Sequence, residues 1–278
     1  ILFQVLTCVL TVLLLSQWLQ ARGASAFAQS FAALSILFGN TASVYMNSYY
    51  GHGMTAWLLL ALVLALLRDR PALVGCLYGF ALLSDYALGI LAPPLLIGCF
   101  ARREAWGRRA RRGLWLAVGA ATPAALWIWY HTSCFGGPLT IALTYQNPVF
   151  RLDGAVERTG LLAIWGFMPA WDVLGQLLFG APRGLLFTQP WALGVFGSAV
   201  GGVLRRRYSE LPWPLALLLV SALPLLLWLN AGFEGWHGGW VVGPRYLSPI
   251  IPFLGACGAL LHDRLGPTAR RVLWLALV

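Results

Sequence analysis

Nineteen arginines and no lysine punctuate this 278-residue chain, and fifteen of the arginines fall in short groups between long apolar runs. The groups are Arg22, Arg68 with Arg70, Arg102/Arg103 with Arg108/Arg109/Arg111/Arg112, Arg205 to Arg207, and Arg264 with Arg270/Arg271. Arginine near a helix end is retained on the cytoplasmic side of a bilayer, so each group marks an inner loop and the runs between mark helices. This spacing constrains the fold more than any motif does. It predicts an all-α, polytopic integral membrane bundle. The formal charge of +10 then carries orientation, and nucleic acid is set aside as a partner. With 59% hydrophobic and 10% charged residues, the chain lies far from soluble globular averages. Fourteen tryptophans, many near expected helix ends, suit membrane interfaces.

The runs place spans at about 1–19, 26–46 and 55–67. The stretch 71–101 holds a single charge before its end, Asp85 at its centre. One tilted helix would put Arg68/Arg70 and Arg102/Arg103 on opposite faces of the membrane. Two short helices turning at Ser84-Asp85-Tyr86 keep both groups inside and bring Asp85 towards the outer face. Further spans fall at about 114–131, 185–204, 212–230 and 244–261, with a last one from Val272, about ten transmembrane helices in all. Residues 132–184 read as a long extracytoplasmic loop, with an interfacial helix over 161–180 where Trp165, Pro169, Trp171 and Asp172 suit the membrane surface. No repeat or low-complexity linker divides the chain, so 1–278 reads as a single multi-span membrane domain. It opens at Ile1 and closes at Val278 inside apolar runs, as a fragment incomplete at both ends would. Its five cysteines form no disulfide framework.

Polar residues capable of chemistry gather on the outward side. Glu234-Gly235-Trp236-His237-Gly238-Gly239-Trp240 runs into Gly243-Pro244-Arg245-Tyr246. Glycines let backbone approach a ligand, proline suits a first helical turn, and an arginine at a helix N-terminus suits a phosphate. Arg245 equally suits a structural lock with Glu234 or Asp85, or a lipid headgroup. Tyr49, Tyr50 and His52 end the second span, where His52 suits a sugar, a phosphate or a proton transfer, or else caps the next helix. Asp85 is the one acid within an apolar stretch, a position that function or an arginine partner must account for. Tyr145, Asn147 and Asp153 are candidates to line a substrate groove. The chain has no Gly-rich nucleotide loop, no His/Cys metal spacing and no Ser/His/Asp arrangement.

Several stretches together resemble a known family. Val12-Leu13-Leu14-Leu15 leading to Gln20-Ala21-Arg22-Gly23, Tyr49-Tyr50-Gly51-His52, and Gly79-Phe80-Ala81-Leu82-Leu83-Ser84-Asp85-Tyr86 occur in its order. So do Pro182-Arg183-Gly184-Leu185-Leu186-Phe187 and Gly243-Pro244-Arg245-Tyr246-Leu247 with Pro249 and Pro252. The chain resembles the GT-C superfamily of membrane glycosyltransferases, in particular bacterial relatives of the protein O-mannosyltransferases and of the lipid A aminoarabinose transferase. The resemblance implies hexosyl or pentosyl transfer from a polyprenyl-phosphate sugar to an acceptor glycan, lipid or protein. The active site would face the extracytoplasmic side of a bacterial inner membrane. The lipid-linked donor is the cosubstrate, no cofactor is evident, and a divalent metal stays open. The family's Asp/Glu base would lie upstream of Ile1. Asp85, His52 and Glu234 then shape the catalytic site, and Arg245, Tyr246, His237, Tyr50 and Tyr145 bind the lipid phosphate or substrate. A transporter or flippase of lipid-linked sugars and a non-catalytic relative are the alternative readings.

Overall fold

The computed structural model describes residues 2–38, 51–100, 104–145, 170–181, 183–204, 213–233, 236 and 243–277. Every regular element among them is helical. The helices are α1 (Leu2–Gln20), α2 (Ala26–Leu37), α3 (His52–Leu67), α4 (Pro71–Ser84), α5 (Ala92–Phe100), α6 (Trp106–Phe135), α7 (Trp171–Phe179), α8 (Leu185–Thr188), α9 (Pro190–Leu204), α10 (Trp213–Ala231), α11 (Ile251–His262) and α12 (Pro267–Leu275). Two 3₁₀ turns, Tyr86–Leu91 and Arg245–Ile250, lead into α5 and α11.

The expectation of about ten transmembrane helices does not hold. Among the described residues one helix, α6, is long and apolar enough by length and composition to cross a membrane. The other apolar segments, which include Val9–Gln20 within α1 and Ala216–Ala231 within α10, run 10–17 residues, at most about 26 Å at 1.5 Å per residue, against a hydrocarbon core of ~30 Å. Hydropathy counts apolar residues and takes no notice of where the backbone stops being helical. Asp85 ends α4 in an extended conformation, and 3₁₀ geometry over Arg245–Ile250, with Pro249 inside it, shortens the segment before α11. Of the interfacial helix expected over 161–180, residues 161–169 lie outside the described residues. α7 is its described remainder: Val173 and Leu177 are buried, Trp171 and Phe179 exposed. The Ala170 N–H donates to the Ala231 carbonyl at 3.1 Å and pins α7 to the end of α10.

The chain does turn at Asp85. α3 and α4 run antiparallel, so that Gly51 at the start of α3 meets the Ser84 carbonyl at the end of α4. α5 then returns, and its Gly98 packs on Leu66 near the end of α3. α6 runs parallel to α4 at backbone distance. A Cβ on Gly75 would lie 2.1 Å from the Leu116 carbonyl oxygen, and one on Gly119 would lie 1.8 Å from that of Ala72. Gly79 faces the Pro123 ring one turn on. Small residues at four-residue spacing permit this approach. At one end Arg112 pairs with Asp69 and, at 2.8 Å, with Glu104. Asp69 closes α3 in the left-handed region (φ 56°), which a short polar side chain tolerates.

α3 forms the centre of the core, with Leu58–Leu60 and Leu62–Leu66 all buried. The segment 245–262 runs beside it in the same direction, from Tyr246 at His52 to Phe253 at Leu59 and Val63. α2 lies antiparallel to α11, with Gly255 against Ser35 and Gly258 against Phe31. Their far end is stapled by Ser25, the N-cap of α2. Its N–H donates to Asp263 Oδ2 at 2.8 Å and its hydroxyl to Oδ1.

Two outcomes follow from this packing. Gly119→Val forces α4 off α6 and should lower stability by about 1–3 kcal/mol, read as a lower thermal midpoint. Gly107→Ala, with open space around it, should cause no loss. Partial burial alone would raise the Asp263 carboxyl, but the Ser25 hydroxyl and amide, with His262, outweigh it and hold the group below its ordinary value. A lowered carboxyl stabilises the fold above its unfolded value and loses that contribution as pH falls through the folded one. The wild-type thermal midpoint should therefore fall on acidification below pH ~4. Asp263→Asn should start lower at neutral pH and show a flatter acid limb.

Candidate functional site

Asp85 links the elements of the site. Extended at φ −154° and ψ 108°, it caps the following 3₁₀ turn, its Oδ1 accepting from the Ala87 N–H at 3.0 Å. Its Oδ2 lies 3.3 Å from Nδ1 of His52, the first residue of α3. That is ion-pair distance, off the line of a straight hydrogen bond. The two meet because Gly51 lets α3 start against the end of α4. Both side chains are largely buried, at 11% and 13% exposure, so their mutual field is weakly screened.

A third segment supplies the cation. Gly243 turns the chain at φ 62°, Pro244 follows, and Arg245 opens the 3₁₀ turn. The Arg245 guanidinium donates to the Tyr246 hydroxyl at 2.8 Å, with its carbon 4.8 Å from that ring's centroid. Tyr246 stands edge-on to His52 (5.9 Å, 83°) and to Phe233 (5.7 Å, 89°). Tyr246 and Phe233, but not His52, border a cavity of about 240 Å³ whose polar lining is Asp85, Tyr86, Asn230 and Tyr246 and whose apolar wall includes Leu226 and Phe233.

Tyr86 is held by a histidine that does not reach the cavity lining. His131 is fully buried, stacked on the Trp127 indole at 4.3 Å and 9°. In its neutral form His131 Nδ1–H donates to the Thr140 carbonyl at 2.6 Å, which leaves Nε2 to accept from the Tyr86 hydroxyl at 3.3 Å. The pair fixes the cavity wall to α6.

The structure thus brings together His52, Asp85, Arg245 and Tyr246. Tyr145 stands apart: exposed, it packs on the Phe135 ring at the end of α6 and donates to the Phe135 carbonyl at 3.1 Å. Tyr50, Glu234 and His237 lie outside the described residues, as do Asn147 and Asp153. Sequence reasoning missed Asn230, Tyr86 and His131 as site groups. An asparagine in the run Leu225-Leu226-Leu227-Trp228-Leu229-Asn230 was the available signal. Among the described residues no group of three or more His, Cys, Asp or Glu side chains could hold a metal ion.

No protein-family model, curated protein or solved structure matches the chain.

His131→Leu would leave both the Tyr86 hydroxyl and the Thr140 carbonyl without this partner. It should cost about 1–3 kcal/mol in thermal or denaturant unfolding. Tyr86→Phe should cost less, and combining the two should cost less than their sum.

Proposed function

We propose that the chain belongs to a membrane-embedded glycosyltransferase that moves a sugar from a polyprenyl-phosphate donor to an acceptor hydroxyl on the extracytoplasmic face. One observation carries this reading: Asp85, which faces His52, and Tyr246, which accepts from Arg245, line a single cavity of about 240 Å³. That volume falls below the usual range for drug-sized ligands and suits one sugar ring. The apolar residues of α6 support a lipid setting, since Leu114, Trp115, Val118, Ile128 and Trp129 are all exposed.

The groups divide the work of an inverting displacement. The acceptor hydroxyl gives its proton to His52 Nε2 while its oxygen bonds to the anomeric carbon. The bond from that carbon to the phosphate oxygen breaks, and its electron pair leaves with the polyprenyl phosphate. Asp85 orients the imidazole through Nδ1 and stabilises the imidazolium that forms. Arg245 stabilises the charge growing on the departing phosphate, and Tyr246, on the cavity lining, accepts from the guanidinium and holds it.

The test is sugar transfer by the full-length protein in proteoliposomes, using a panel of labelled polyprenyl-phosphate hexoses and pentoses. His52→Gln should lower turnover by roughly 10²-fold or more and Arg245→Ala by about 10²-fold, both with the thermal midpoint retained. Transfer unchanged in Arg245→Ala removes that residue from the mechanism. Absence of transfer by the wild type from every donor refutes the reading.

A further inference from the structure

Asn230 is 3% exposed, lines the cavity, and has no hydrogen-bond partner at either Oδ1 or Nδ2. Its neighbours explain why nothing inside the protein serves it. Leu226 and Leu229 flank it on α10, Phe233 follows one turn on, and Ile141 and Ala87 complete that wall. A buried amide left bare is costly, whereas an apolar group of the same shape would be close to neutral. Asp85, on the same cavity, shows the contrast: one of its oxygens accepts from the Ala87 N–H and the other faces His52.

The chemistry of the bare group defines what it reads. A carboxamide offers an acceptor and a donor side by side in one plane. Two adjacent ring hydroxyls match it, one donating to Oδ1 and the other accepting from Nδ2. Phe233 and Tyr246 border the same space, and aromatic rings there suit the C–H face of a pyranose. We propose that Asn230 is the specificity-determining residue of the site and binds a pair of vicinal hydroxyls on the sugar ring. This rests on the transferase reading for the class of ligand, and on the bare amide for the contact.

The contact is tested by binding, separately from transfer. The probes are methyl pyranosides of the common hexose and pentose configurations and their monodeoxy analogues. They are titrated by saturation-transfer NMR against the full-length protein in nanodiscs. The wild type should bind at least one parent pyranoside, and removing either of two adjacent hydroxyls should weaken it about tenfold or more. Asn230→Leu should weaken the parent by a similar factor and bind parent and monodeoxy sugars alike. Its thermal midpoint should equal or exceed that of the wild type, which a structural asparagine would not permit.

Failure of every pyranoside to bind overturns the proposal. So does an Asn230→Leu variant that keeps the wild-type discrimination, or one that unfolds at lower temperature. Hydroxyl reading through Asn230 without transfer from any lipid-linked donor upholds this inference and sinks the transferase reading. Transfer with unchanged discrimination in Asn230→Leu does the reverse.

Discussion

The contact between α4 and α6 sets the geometry on which the rest depends. Gly75 and Gly119 place backbone against backbone, closer than any pair of helices with ordinary side chains at the seam. The two helices run parallel and are tied at both ends, by Asp69 with Arg112 at one and Tyr86 with His131 at the other. Between those ties they keep step for about five turns. Asp85 sits one residue before the second tie, so its position is inherited from the seam. A slip of one turn between α4 and α6 would carry Asp85 and Tyr86 roughly 5 Å along the helix axis. His52 and Tyr246, held by α3 and the 245–262 segment, would no longer meet them.

The same parallel and antiparallel runs sort the charges. α3 starts at His52 near the cavity and ends beside Asp69 and the Arg112 pair. The 245–262 segment starts at Arg245 near the cavity and ends at Asp263, where Ser25 and Arg270 gather. Titratable groups thus occupy two ends of an apolar waist that contains α3. At the end away from the cavity the ions satisfy one another: Arg112 with Asp69 and Glu104, Asp263 with Ser25 and His262. At the cavity end Asp85 faces His52 and Arg245 donates to Tyr246, and of these Asp85 and Tyr246 line the cavity. The distinction lies in what each group is given to bond, since acids and cations occur at both ends.

Part of this arrangement was legible in the sequence, and the failures have two causes. The turn at Asp85 was legible because one charge in a long apolar stretch cannot be ignored by any fold. His52, Asp85, Arg245 and Tyr246 were expected on one side of the molecule, and the structure brings these four together. Helix length was not legible. A hydropathy reading treats 244–261 as one span, while the structure divides it into a 3₁₀ turn and a 12-residue helix. Tyr145 was placed by its neighbours in sequence, yet its hydroxyl is taken by the Phe135 carbonyl ten residues back. His131 and Asn230 were illegible for a different reason. Each sits at the end of an apolar run, where sequence shows only a polar residue at a boundary; partners, or their absence, are tertiary facts.

The asymmetry between Asp85 and Asn230 is the most informative feature of the cavity. A folded domain holds only about 5–15 kcal/mol in reserve, and a buried amide without partners costs about 1–3 kcal/mol of it. Leucine at that position would match the rest of α10, whose buried neighbours are Leu226, Leu227 and Leu229. Nothing in helix propensity or packing calls for asparagine there. Local rules of this kind fail at sites whose demands lie outside the folded chain itself. Asp85, by contrast, is demanded twice by the fold, as the cap of a turn and as the partner of His52. One polar group on the cavity is therefore explained by the protein alone and the other is not, and that difference is the observation on which the proposed hydroxyl contact at Asn230 rests.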